Sequence, residues 1–526
     1  MTQRNIQQQQ FDKLNRRSFI RASGGCAAMS STAIMSTLLN LKATNAAMAM
    51  QDDYPGYKAL VCIFMFGGND SFNMLVPRED DQYNDYAQMR GSNPDEGGLA
   101  IPKDSLHPIT SLSGQKFGIH PSMPELQQLY NDQKLAFISN VGTLVRPTTM
   151  ADYQARRHLP LGLFSHADHI RHWQTSLPES RSGVTGWAGR MADLMTDSVN
   201  SNDKVAFGMS LSGVNTFQTG NIVMPYVVQP AGATELAGYA STNAQDRIYR
   251  RVTDGMLAHT YSDLLEKTYA RTTRNAIDAA IEFNTAVNAV TLNTTFPTSY
   301  LGSQLKMIAK AIGARQPLGH RRQTFFVTLG GWDHHDGLLA KQEAQFPDLS
   351  QCVKAFYDAT VELGVSRDVV SYTVSDFGRT LSSNGRGSDH AWGGNLFACG
   401  GSVAGGDVFG SYPDTLLDNP DLDVGRGRLI PTTSTDQHAS EIAHWFGVPD
   451  DGTMEDILPN VRNFPKPPGF LSRGAAPPPG GIPGGGGSSP PPGPPPPPAP
   501  DPPIGGNPPP GGYPGGGGGF GPGGPG

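Results

Sequence analysis

Short, mostly apolar runs recur along the chain, each stopped by glycines or polar residues. The first, residues 59–66 (ALVCIFMF), ends in Gly67-Gly68-Asn69-Asp70-Ser71. Another, 325–329, ends in Gly330-Gly331 and then Trp332-Asp333-His334-His335-Asp336. A third, 369–374, ends in Ser375-Asp376. A fourth, 395–399, follows Asp389-His390 and stops at Gly400-Gly401. Runs of this length, rich in β-branched and aromatic residues, predict buried strands. Further strands are predicted over 135–139, 205–210, 222–228 and 407–410. Helical patterns cover 121–132, 246–290, 300–312, 349–363 and 437–446, with Gly313, Gly364 and Gly447 as stops. Residues 83–116 are polar and broken by Pro and Gly, and predict loop and short elements. Strand, helix and strand alternate around Phe326 and Val370. The expected class is therefore α/β, with a mostly parallel central sheet flanked by helices.

The pattern changes at both termini. Residues 1–49 hold Arg16-Arg17, a weakly apolar Ala/Ser/Met stretch and Ala47-Met48-Ala49. That order predicts a twin-arginine signal peptide, hence export to the periplasm or beyond. Ser23 stands where a lipobox before Cys26 needs an aliphatic residue, so lipidation is not expected. Residues 474–526 collapse to Gly and Pro with one charge, Asp501, and no Gly-x-y period. They predict a disordered tail of polyproline II and coil, whose partner the sequence does not name. The folded domain is then 50–473. No stretch after the signal is apolar enough to span a membrane. Cys62, Cys352 and Cys399 are scattered and odd in number, which predicts free buried thiols. The formal charge of −7 argues against nucleic acid as a partner.

The candidate chemistry gathers where strands end. In open α/β sheets, ligands bind beyond the carboxyl ends of the strands. Asp70, Asp333 and Asp376 lie there, with His335 beside Asp333 and His390 just before a strand. Carboxylates and imidazoles in this arrangement suit a divalent metal. Residues 163–187 add Ser165, His166, His169 and His172. The three histidines fall at i, i+3 and i+6, roughly one helical face. They fit metal ligands, groups that orient a nucleophilic Ser165, or a face packed beneath the site. Asp376-Phe377-Gly378 and Asp333-His334-His335 also match short kinase and phosphoesterase motifs, without the companions those need.

GGNDSFN, SHADHIRHWQTS, GGWDHHDG, SDFGRT with NGRGSDHAWGG, and DQHASEIAHWFG with LPNVRNF together resemble the domain of unknown function 1501 family. These are exported bacterial proteins similar to the alkaline phosphatase and sulfatase superfamily. The resemblance spans most of 50–470 and excludes the tail. It implies an alkaline-phosphatase-like fold and one or two divalent ions, zinc first and manganese second. It implies metal ligands Asp70, Asp333, His335, Asp376 and His390, and Ser165 with His166 as catalytic residues. Two departures stand out: Phe377 replaces the histidine expected after Asp376, and Asp333 and His335 are closer than usual. No formylglycine-type cysteine motif is present. The implied function is an exported metal-dependent hydrolase of phosphate or sulfate esters. The rival is a non-catalytic envelope protein that keeps the fold for binding or assembly.

Overall fold

The computed structural model describes residues 56–471, apart from 203, 450–451 and the side chains of 197 and 198. The expected signal peptide and tail lie outside the described residues. The strands are β1 (Lys58–Met65), β2 (Leu75–Pro77), β3 (His107–Thr110), β4 (Lys116–Ile119), β5 (Leu135–Gly142), β6 (Gly208–Ser210), β7 (Tyr226–Val227), β8 (Arg322–Leu329), β9 (Val369–Ser375), β10 (Gly394–Gly400), β11 (Val408–Phe409) and β12 (Thr433–Ser434). The main helices are α1 (Asp80–Arg90), α2 (Pro124–Asn131), α3 (His166–Thr175), α4 (Trp187–Val199), α5 (Ala244–Leu257), α6 (Leu264–Asn288), α7 (Tyr300–Gly313), α8 (Leu338–Glu362) and α9 (Thr435–Phe446).

Nine strands form one mixed, mostly parallel sheet in the order β11-β5-β10-β9-β1-β8-β6-β7, with β12 paired to β5. β1 lies between β8 and β9, parallel to both. β10 runs antiparallel to its neighbours β5 and β9. Strand β1 shows how sequence builds the core. Side chains alternate faces along a strand. Ala59, Val61, Ile63 and Met65 join one buried cluster, which α2, α7 and α8 cover. Leu60, Cys62 and Phe64 join a second, packed under α4 and α9. Both faces are covered, so the run is apolar throughout and shows no polar alternation. Cys62, Cys352 and Cys399 are free and buried, as expected.

Three elements depart from the pattern reading. Residues 83–116 hold most of α1 and strand β3, which pairs with β4 in a small antiparallel sheet, β2-β4-β3. Only Tyr86 and Arg90 of α1 are buried, so it shows no apolar stripe to read. The stretch 246–290 is two helices, because the Asp263 carboxylate accepts the N–H groups of Leu265 and Glu266 and starts α6 afresh. Helix α8 begins at Leu338 and runs through Pro347. Burial of Leu338, Phe346, Leu349, Val353 and Phe356 outweighs the ~3 kcal/mol that an interior proline costs.

Asp436, in the first turn of α9, is buried. The Ser176 hydroxyl donates to one of its oxygens at 2.7 Å, and the other oxygen has no partner among the described residues. Burial pushes its carboxyl up to about 7. The folded value thus exceeds the unfolded value of about 3.9. The stability it contributes is complete below that unfolded value and is lost as pH rises through the folded one. At ~1.4 kcal/mol per pH unit, the loss reaches about 4 kcal/mol. Urea unfolding of Asp436→Asn should show that this part of the pH dependence has gone. Parallel wild-type and variant profiles would contradict the assignment.

Candidate functional site

The registers of β1 with its neighbours set Met65 opposite both Leu329 and Ser375. Three carboxyl-terminal tips therefore stand level. Because β10 is reversed, its amino end lies at the same edge, and His390 approaches the site from there. Close loop packing is possible only with glycine: a Cβ at Gly67 would stand 2.6 Å from the Asp333 nitrogen. One at Gly68 would stand 2.6 Å from the Phe377 ring.

His166, Asp333 and His390 each aim a donor atom at one point, all within 4.8 Å of one another. The two Nε2 atoms are 3.1 Å apart. Asp333 oxygens lie 3.3 Å from His390 Nε2 and 3.6 Å from His166 Nε2. His335 joins from one side, its Nε2 at 2.9 Å from His390 Nε2 and 3.0 Å from Asp333. The outer ring nitrogens each face an acceptor. His390 Nδ1 faces the Phe164 carbonyl at 2.9 Å, which can only accept. His166 Nδ1 faces an Asp376 oxygen at 2.6 Å, and His335 Nδ1 faces Asp389 at 3.1 Å. Each neutral ring is then protonated on Nδ1 and turns an Nε2 lone pair inward. Lone pairs and a carboxylate packed this closely repel unless a cation lies among them. Donors on a tetrahedral zinc ion at 2.0–2.1 Å stand roughly 3.3 Å apart, close to the 3.1 Å between the two Nε2 atoms and the 3.3 Å from His390 Nε2 to Asp333 Oδ1, while His166 Nε2 is 3.6 Å from the other carboxylate oxygen, Oδ2. An imidazole fixed through its far nitrogen by a carboxylate or carbonyl is the usual support of a metal ligand. The donor set fits a divalent ion.

Electrostatics agree with this division. Burial pulls Asp333 upward, but the Arg379 hydrogen bond and charge prevail and hold it below the carboxylate range. Asp376 is raised, mainly by burial, against the opposing bonds from Gly67 N–H and His166. His390 is lowered by burial, which keeps the ring neutral.

The sequence-predicted residues take different places. Asp333 and His390 are in the convergent group, and His335 flanks it. Asp376 stands one bond behind, its oxygens taken by His166 and by Gly67 N–H at 3.0 Å. Asp70 is further back, buried between Arg90 at 2.7 Å and Ser388 Oγ at 2.8 Å. His166, expected to be catalytic, points into the group. Ser165 is the N-cap of α3, its hydroxyl accepting the Asp168 N–H at 3.4 Å. His169 is buried behind the group, and His172 is buried on the same helix. Arg379 was not singled out. Its guanidinium is buried and donates to Asp333 at 2.8 Å, to the Gly67 carbonyl at 3.1 Å and to the Ser388 carbonyl. Its position three residues after Asp376 was the available signal.

A family profile described as protein of unknown function (DUF1501) matches residues 57–425. No curated protein matches the chain. Two solved structures are similar to it. One is Ps i-CgsB in complex with k-i-k-neocarrahexaose, at 9% identity and a TM-score of 0.31, covering 78% of each chain. The other is PsFucS1 sulfatase from Pseudoalteromonas sp., at 12% identity and a TM-score of 0.28, covering 78% of this chain and 76% of that one.

The Asp70–Arg90 pair has no exposure to solvent on either side chain. Removing one partner of such a pair strands the other charge. Asp70→Ala should therefore destabilise the fold by about 3–5 kcal/mol in urea unfolding, and Asp70→Ala with Arg90→Met should recover part of that. A stability loss under 1 kcal/mol for Asp70→Ala would show that the carboxylate is not committed to Arg90.

Proposed function

The chain belongs to the DUF1501 family of proteins of unknown function, and we propose that it is an exported metal-dependent hydrolase of phosphate or sulfate esters. The observation that carries the metal dependence is the inward convergence of His166, Asp333 and His390, each imidazole fixed from behind. Three protein ligands with room for a fourth is the pattern of catalytic rather than structural zinc. Imidazole and carboxylate donors suit zinc first and manganese second. Asp70 is neutralised by Arg90 and Asp376 is occupied by His166, so this reading takes one ion per chain. The ester class rests on the resemblance of the motifs. Twin-arginine export is part of the same reading, through Arg16-Arg17. Among the described residues, no helix is long and apolar enough to cross a membrane.

A divalent ion held there supplies Lewis acidity toward an ester oxygen and makes a nearby hydroxyl easier to deprotonate. The chain's own residues would do the rest. His335, oriented through Nδ1 by Asp389, would accept the Ser165 proton at Nε2 as the Ser165 oxygen bonds to phosphorus or sulfur, and would return it to the departing alkoxide as the ester bond breaks. Ser165 is the proposed nucleophile. It sits at the amino end of a ten-residue helix, where backbone N–H groups favour an anion.

Metal analysis of the exported protein should find one tightly held ion, and a screen of phosphate and sulfate esters should find turnover. Ser165→Ala and His335→Ala should each lower kcat by ~10²-fold or more while the ion is kept, as loss of a nucleophile or proton acceptor does. His390→Ala should lose the ion itself. A fully active Ser165→Ala protein would reduce Ser165 to a helix cap, whose loss costs ~1 kcal/mol of stability. Retained metal with no turnover on any ester would favour the binding or assembly role.

A further inference from the structure

Phe164 occupies a backbone conformation that its side chain disfavours. The Ser165 N–H donates to the Gly162 carbonyl at 2.9 Å and closes a four-residue turn. Phe164 is third in that turn, at φ 72°. A positive φ after a residue of ordinary φ marks a type II turn, where glycine is the usual occupant. A non-glycine residue held this way costs of order 1–3 kcal/mol and persists only where its surroundings enforce it.

Three contacts enforce it here. The Phe164 N–H donates to His169 Nε2 at 3.1 Å. The Phe164 carbonyl accepts from His390 Nδ1 at 2.9 Å. The guanidinium of Arg428 stands 5.3 Å from the Phe164 ring, and its Nε donates to the His390 carbonyl at 2.9 Å. His169 can accept because burial keeps its ring neutral, down to about 3. Since Nε2 accepts, the proton of the neutral ring is on Nδ1, which faces the Thr143 hydroxyl at 3.4 Å.

We propose that His169 and the Phe164 backbone form a strut that fixes the tautomer and direction of His390. The inference rests on reading His390 as a metal ligand. His169 never meets the ion; it is a positioning residue acting through the backbone of one residue, Phe164. Without it, the Phe164 peptide is free to relax from its positive φ. The carbonyl then leaves His390 Nδ1, and the ring can place its proton on Nε2, where it blocks the ligand lone pair.

The test compares His169→Leu, which removes the acceptor, with His169→Gln, whose amide oxygen replaces Nε2. Nitrogen NMR of the imidazoles in the metal-free protein reads the tautomer directly. Wild type and His169→Gln should show His390 protonated on Nδ1; His169→Leu should show a mixture. Zinc affinity should fall at least about tenfold in His169→Leu, with His169→Gln much nearer wild type, as expected for loss and rescue of a ligand's outer support. Phe164→Gly keeps the turn and both backbone bonds, and should keep the tautomer even if His169→Leu folds poorly. An unchanged tautomer in His169→Leu, or equal loss in Leu and Gln variants, would overturn the strut. A His169-dependent tautomer in a protein that takes up no zinc would leave the strut standing and overturn the metal reading.

Discussion

One buried guanidinium holds the loops of this site together. Arg379 lies on the segment after β9. It donates to the Gly67 carbonyl after β1, to Asp333 after β8, and to the Ser388 carbonyl and hydroxyl before β10. Three loops that are far apart in sequence, those after β1 and β8 and the one between β9 and β10, thus share one cation. A buried arginine is tolerable only when its donors are satisfied and its charge is balanced. Here carbonyl oxygens take several donors and the Asp333 carboxylate balances the charge. The same bond leaves Asp333 ionised and pointed at His166 and His390. Geometry and charge at the edge of the sheet therefore have a common origin.

Around this hub the acidic residues divide by what neutralises each. Asp70 is committed to Arg90 and Ser388 in the interior. Asp376 supports His166 from behind. Asp389 faces His335, Asn384 and Arg426, which together outweigh burial and hold it at about 2. Asp333 alone combines a buried arginine partner with a face open to solvent. Permanent cations thus occupy the rear of the site, and the imidazole lone pairs gather at the front. A single divalent ion completes that balance without displacing any protein cation.

The sheet was legible because β1 is covered on both faces and is apolar from Ala59 to Met65, while β8 and β9 carry shorter, mostly apolar runs rich in β-branched and aromatic residues. Their ends were legible as functional because a carboxylate or histidine follows each. The roles within the site were less so. Asp70, Asp333 and Asp376 look alike along the chain, each an aspartate just past a strand. Only the third dimension shows that Arg90 has claimed the first. Arg90 was itself hidden, since α1 buries just two side chains and shows no periodic stripe. His166 gave a correct signal with an ambiguous meaning, because one spacing serves a ligand, a base or a packed face. The left-handed Phe164 left no trace, since its sequence position carries a residue that usually avoids such a turn.

The account stands or falls on where a metal ion binds. The most direct measurement is an anomalous difference map from crystals of the exported protein, collected at the absorption edge of the metal found in it. The predicted result is one peak per chain, bonded at about 2.0–2.2 Å to His166 Nε2, His390 Nε2 and an Asp333 oxygen. A peak on Asp70 or Asp376 instead, or no peak with the three side chains still converged, would contradict it.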